Sequence, residues 1–150
     1  MVNKLTRGVR NNNPGNIDYN KRNDWQGQLG YEEGVKNPRF ARFDSAENGI
    51  RALAKLLLNY RGKDGEPLVG AHGIDTVQEV INRLAPPVEN DTVAYAKAVA
   101  KGLGVSLKTP IKIGDVNVLL ILVREIIKHE NAGFQYPQAV LSEGVRRALA

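Results

Sequence analysis

From Val116 to Ile127 the chain is apolar at almost every position, broken only by Asn117, Arg124 and Glu125. A helix that is apolar nearly all round has no face to turn to water, so it belongs in the middle of a domain with other elements packed about it. The stretch is too short, and too interrupted by charge, to cross a bilayer, so no membrane insertion is expected. The feature demands a helical domain, and 150 residues suit one compact domain spanning 1–150.

The pattern supplies the other helices. In FDSAENGIRALAKLLLNY, Asp44 is the expected cap with Glu47 as its capping-box partner. Ile50, Leu53, Leu57 and Tyr60 then share one face. A second helix is expected near 75–84, opened by Asp75 or Thr76, with Val77, Val80, Ile81 and Leu84 apolar, and stopped by Pro86-Pro87. A third, near 91–103, follows Asn90 and Asp91 and ends at Gly102–Gly104. The central helix, near 115–129, is capped by Asp115. A last one, near 137–149, opens with Pro137 in its first turn. Residues 1–43 are rich in loops, with short strands expected at Ile17–Tyr19, Gly34–Val35 and Phe40–Phe43. The fold class is mainly α, with a small loop and β region near the N-terminus.

Composition narrows the function. There is no cysteine, which excludes disulfides and thiolate metal sites. The two histidines, His72 and His129, lie far apart in sequence, which argues against a zinc site unless carboxylates complete one; no metal or cofactor is expected. MVNKLTRGVRNNN lacks the apolar core of a signal peptide, so the chain is expected to be made in a cytoplasm and delivered outward by something else. A net charge of +5 favours an anionic partner. The charges are scattered as singles and pairs, which argues against a nucleic-acid arm.

Residues 7–17 read RGVRNNNPGNI. Three asparagines followed by Pro-Gly make a shaped loop, because Asn and Gly tolerate left-handed backbone angles and Pro fixes its own. Such a loop is crowded with amides suited to hydroxyl and acetamido groups, although a loop that only satisfies its own backbone has the same composition. Asn12, Asn13 and Asn16 are the candidate substrate-binding residues.

The central helix ends in IIKHENAG. Glu130 therefore lies at or just past a helix C-terminus, where the negative end of the macrodipole and apolar neighbours both favour a protonated carboxyl, the form a general acid needs. The plainer alternative is a solvated residue in a C-cap turn made by Asn131 or Gly133. Glycosidases often set two carboxyls across the scissile bond. Asp18, which follows the asparagine loop directly, and Glu89 are the main candidates for the second; Asp24 precedes Trp25, Glu47 reads as a helix cap, and Glu89 and Asp91 both lie in a polar turn before a helix, where capping is the competing role. Tyr19 or Trp25 has a ring suited to stacking on a sugar face, and core packing is the competing role. His129 reads as a neighbour of the site.

Taken together, RGVRNNNPGNI, Trp25-x-Gly27, RFARFDSAENGIRALAKLL, APPVENDTVAYAKAVAKGLGV and IIKHENAG resemble a family of phage-encoded lysozyme-like proteins, covering nearly the whole chain. A more distant resemblance is to lytic transglycosylases and flagellar-type glucosaminidases. In these a helix ending in the catalytic glutamate precedes an Asn-rich loop, an F-x-x-F/Y-D-S helix start and a Tyr-Ala helix. Here Asn11 to Ile17, Phe40 to Ser45 and Tyr95-Ala96 keep that order, but the helix ending in glutamate comes last, as Ile126 to Asn131. The order looks like a circular permutation, which requires the end of the central helix to meet residues 8–17 in space.

The resemblance implies a lysozyme-like domain that cuts the β-1,4 bond between N-acetylmuramic acid and N-acetylglucosamine in peptidoglycan, with Glu130 as general acid and Tyr95 lining the groove. It implies a phage setting: a monomer acting at the host cell wall, carried in the virion beside other virion proteins or released through a holin. The first rival is a non-enzymatic virion or tail protein that binds the wall. The second is a basic helical domain for nucleic acid, for which no motif is present.

Overall fold

The computed structural model describes residues 5–62, 70, 73–87 and 90–150. The fold is mainly α with one small sheet near the N-terminus. The chain divides into two compact units: one runs up to Lys55 and resumes at Ile126–Ala150, and the other is Leu56–Glu125.

The first unit opens with a single helical turn, α1 (Arg7–Arg10), where a loop was expected throughout. The asparagine loop follows. Two short antiparallel strands, β1 (Gln28–Tyr31) and β2 (Ala41–Phe43), form the sheet. Of the expected strands, Phe40–Phe43 largely corresponds to β2. Ile17–Tyr19 contributes only an isolated bridge from Asp18 to Phe40. Gly34–Val35 is no strand: Gly34 has φ +77°, a turn conformation suited to glycine.

Helix α2 (Ala46–Asn59) starts one residue later than Asp44 as its cap would require. Ser45 Oγ instead accepts the Asn48 backbone N–H at 3.2 Å, and Asp44 Oδ1 accepts the Asn48 side-chain amide at 2.9 Å. Glu47 is thus a first-turn residue outside any capping box. Its expected apolar face is buried, with Ile50, Leu53 and Leu57 fully so. Truncating such a leucine to alanine costs about 2–5 kcal/mol. Gly49 lets the backbone of Asn12 lie against α2, because a Cβ there would fall 1.7 Å from Asn12 O.

The second unit carries two further helices. Helix α3 (Val77–Leu84) is capped by Thr76, whose hydroxyl oxygen accepts the Glu79 N–H, while Glu79 reaches back to the Thr76 hydroxyl and to the N–H of Asp75, one residue before the cap. Helix α4 (Thr92–Leu103) has Asp91 as its cap and ends at Gly104 with φ +72°. Helix α5 (Val116–Glu130) begins in this unit and ends in the first. Leu119, Leu122, Val123, Ile126 and Ile127 are buried as expected, whereas Val116 is 48% exposed. The last helix, α6 (Gln138–Leu149), belongs to the first unit and has Pro137 at its N-cap, one position before the first turn. Among the described residues no helix is long and apolar enough to cross a membrane.

Candidate active site

The asparagine loop is held by its own side chains. Asn12 and Asn16 adopt left-handed angles, φ 52° and 50°, which asparagine tolerates better than most residues. Asn13 is fully buried. Its amide donates to Ile17 O and Ala41 O, both at 2.9 Å, and its Oδ1 accepts the Ile17 N–H at 3.0 Å. Asn12 donates to Phe43 O at 3.2 Å. The expected substrate role of Asn13 is therefore corrected: its amide is spent joining the loop to β2, out of reach of a ligand. Asn12 is partly exposed, and its amide donates to Phe43 O.

A buried carboxylate anchors the loop from below. Glu32 is 4% exposed and accepts from Arg7 Nε at 2.7 Å and Arg7 Nη2 at 2.6 Å. It also accepts from the Arg39 and Phe40 backbone N–H groups and from the Asn11 amide. The Arg7 hydrogen bonds above all, then those backbone donors, hold the Glu32 carboxyl far below the usual carboxylate range, against the opposing effect of burial. Arg7 also lies over the Phe40 ring, 4.5 Å from its centroid. A buried charge is tolerable because it is paired and fully hydrogen-bonded. No local pattern in Tyr31-Glu32-Glu33-Gly34 signals this role, since its partners come from other segments.

Asn16 is the asparagine that reaches the proposed acid. Its Nδ2 donates to Glu130 Oε1 at 3.0 Å, across 114 residues of chain. Glu130 is partly buried at the last position of α5. The next residue makes the junction firm. Asn131 is 1% exposed, donates to Pro14 O at 2.8 Å and Ile127 O at 2.9 Å, and accepts the Thr6 hydroxyl at 2.7 Å. Gly8 completes the fit, because a Cβ there would lie 2.6 Å from Asn131 Oδ1 and 3.0 Å from Asn16 Oδ1. The end of α5 and residues 8–17 thus meet in space. Asn131, expected at most to cap the helix, is the residue that joins them.

The remaining candidates are dispersed. Tyr95 is 2% exposed, within α4 of the second unit. It packs in a core rather than lining an open groove, because its position falls on the buried face with Ala96 and Val99. Asp18 is exposed and paired to Arg39 at 2.6 Å. Asp91 is committed to capping α4, and Asp24 is exposed. His129 is exposed in the last turn of α5. Trp25 is partly buried, and its indole Nε1 is enclosed with no hydrogen-bond partner among the described residues. Glu47 lies near enough to Tyr136 for its charge to add to the burial that pushes that phenol up to about 12. Glu89 and His72 lie outside the described residues.

Chemically, this junction offers one carboxyl with an oxygen held by an amide donor, beside a loop of fixed shape. Among the described residues no three His, Cys, Asp or Glu side chains gather as a metal site would require. No protein-family model matches the chain. Over 107 residues, 70% of its length, the chain is 35% identical to Protein P5 of Pseudoalteromonas phage PM2, and the match spans 60% of that protein. This similarity supports a phage origin for the chain.

Proposed function

We propose that the chain cleaves the glycan strand of bacterial peptidoglycan at the β-1,4 bond between N-acetylmuramic acid and N-acetylglucosamine, with Glu130 as the acid. The observation that carries this reading is the Asn16–Glu130 hydrogen bond of 3.0 Å. It places the helix-terminal glutamate against the asparagine loop, the pairing that the resemblance to lysozyme-like proteins implies. The phage origin supports the same setting.

Glu130 gives its proton to the glycosidic oxygen as the bond to the anomeric carbon breaks, and the positive charge that develops there is met by a nucleophile. Asp18, one of the expected second carboxyls, is exposed and paired with Arg39, and Glu130 is the carboxyl that a described hydrogen bond ties to Asn16. That favours attack by the muramyl 6-hydroxyl, which closes a 1,6-anhydro ring and returns its proton to the Glu130 carboxylate. Attack by water would instead give hydrolysis. In this reading Asn16 orients the carboxyl and Asn131 fixes the helix end beneath it.

Mass spectrometry of digested peptidoglycan tests the reading. Anhydro ends are expected; reducing muramic acid ends would make the protein a muramidase, and reducing glucosamine ends a glucosaminidase. Wild-type protein that binds walls but releases no fragments would overturn cleavage in favour of a wall-binding virion protein.

A further inference from the structure

The small sheet has a feature that neither the core nor Glu130 uses. Strand β1 is only four residues long, yet its register against β2 breaks between Gln28 and Gly30. Gly30 has φ +134°, where side chains are disfavoured, and a Cβ there would meet nothing within 4 Å. The glycine therefore answers to backbone conformation, since crowding is absent. A bulge of this kind turns side chains outward and recurs next to functional sites. Here it flanks two bare apolar residues: Leu29 is 51% exposed and Tyr31 49%. The Tyr31 ring packs on that of Tyr19, with centroids 4.3 Å apart and planes tilted by 54°.

We infer that Tyr19 and Tyr31, with Leu29 beside them, form a platform for a pyranose face of an acetamido-glycan strand. The inference rests on the glycan reading above. Two tyrosines offer apolar faces with polar rims, which suit a sugar ring better than a protein core does. Around them stand charged groups in pairs, Asp18 with Arg39 at 2.6 Å and Glu33 with Arg42 at 3.1 Å, whose outer atoms can meet hydroxyls. Lys21, Arg22 and Lys36, all exposed, add positive charge to the same lobe, complementary to the carboxylates of a bacterial wall. The platform also lies close in the chain to the partner of Glu130. Tyr19 follows Asn16 by three residues, a chain reach of at most about 11 Å.

The test uses the full chain carrying Glu130→Gln, so that binding is read without cleavage. Purified sacculi are pelleted with it, and tetra-N-acetylchitotetraose serves as a soluble competitor. The parent is expected to bind and to be displaced by the oligosaccharide. Adding Tyr19→Ser with Tyr31→Ser should weaken binding about tenfold or more, the scale of a truncated aromatic anchor. Leu29→Ser should weaken it less. Should the double variant fail to melt cooperatively, Tyr31→Ser alone gives the same reading at an exposed ring. Binding unchanged by the tyrosine substitutions overturns the platform, as does binding that salt abolishes and the oligosaccharide does not compete. Self-association lost in Tyr31→Ser, without competition by glycan, overturns it in favour of an interface between copies. Failure of the two readings is separable: tyrosine-dependent binding without fragment release by wild type sinks cleavage alone, and cleavage with tyrosine-independent binding sinks the platform alone.

Discussion

The two ends of helix α5 are finished in opposite ways. At the start, Asp115 Oδ1 accepts the backbone N–H groups of Asn117 and Val118, two and three residues on. At the finish, Asn131 reaches Pro14 and Thr6, 117 and 125 residues away. The first is a solvent-exposed cap that serves the first turn of its own helix. The second is buried and makes the helix end part of a loop from the other end of the chain. A carboxyl placed at the locally capped end would share the freedom of the surface. One placed at the other end has its surroundings fixed by two segments at once, and that is where Glu130 stands.

The largest expected effect falls on Glu130 itself. If the non-local end is a site of acid catalysis, Glu130→Gln should lower fragment release from peptidoglycan by about 10²–10⁴-fold, while the thermal unfolding midpoint hardly moves. A variant that clears walls as fast as wild type would leave the junction as scaffold only. Asn131→Ala comes next. It strands the buried Pro14 carbonyl, at about 1–3 kcal/mol for an unpaired group, and removes the partner of the part-buried Thr6 hydroxyl, which costs less. A total loss of about 3 kcal/mol is expected in denaturant unfolding, with activity reduced even where the protein is still folded. A loss below about 1 kcal/mol would mean that the two ends of α5 differ only in appearance.

A third test reads the anchor under the loop. Because the folded Glu32 carboxyl sits far below its ordinary value of 4.5, it contributes stability that is fully present above that value. The contribution is lost as pH falls from about 4.5 toward the depressed folded value, by at most about 1.4 kcal/mol per pH unit for one proton. Arg7→Met removes the main cause of the depression. It should lower stability at neutral pH and flatten the decline between about pH 4 and pH 2, read as denaturant midpoints across that range. A wild-type midpoint that does not change over the same interval would show that Glu32 is not held as an ion.

What was legible in the chain follows the same division. Capping by Asp91 and Asp115, the buried face Ile50–Leu53–Leu57 and the stop at Gly104 depend on neighbours a turn away, and each stands where the pattern put it. The meeting of Glu130 with the asparagine loop was expected only through the resemblance, on the hypothesis of a circular permutation. The roles within the loop were not legible. Asn13 and Asn16 are alike in sequence, yet one amide lies buried against β2 and the other reaches Glu130, because a change of backbone angle at a single residue redirects a short side chain. Glu32 and Arg7 escaped for a related reason: their pairing depends on which segments the fold stacks, 25 residues apart, and nothing in the local composition marks it. Tyr95, placed by resemblance beside the sugar, occupies a core position instead, since a helix fixes which face a residue takes regardless of what its segment resembles.

The smallest expected effect belongs to the other end of α5. Asp115→Ala removes the acceptor for two N–H groups that water can reach instead, so the cost is that of an ordinary cap, about 1 kcal/mol. Wall cleavage should be unchanged at temperatures where the protein is folded, because Asp115 takes no part in holding Asn16, Asn131 or Glu130. Combining Asp115→Ala with Asn131→Ala sharpens the contrast. Among the described residues the two sites share no hydrogen-bond partner, so their stability losses should add to within about 0.5 kcal/mol. A coupling well above that would mean that the start of the helix helps to set its finish. The local cap would then belong to the same device as the buried junction.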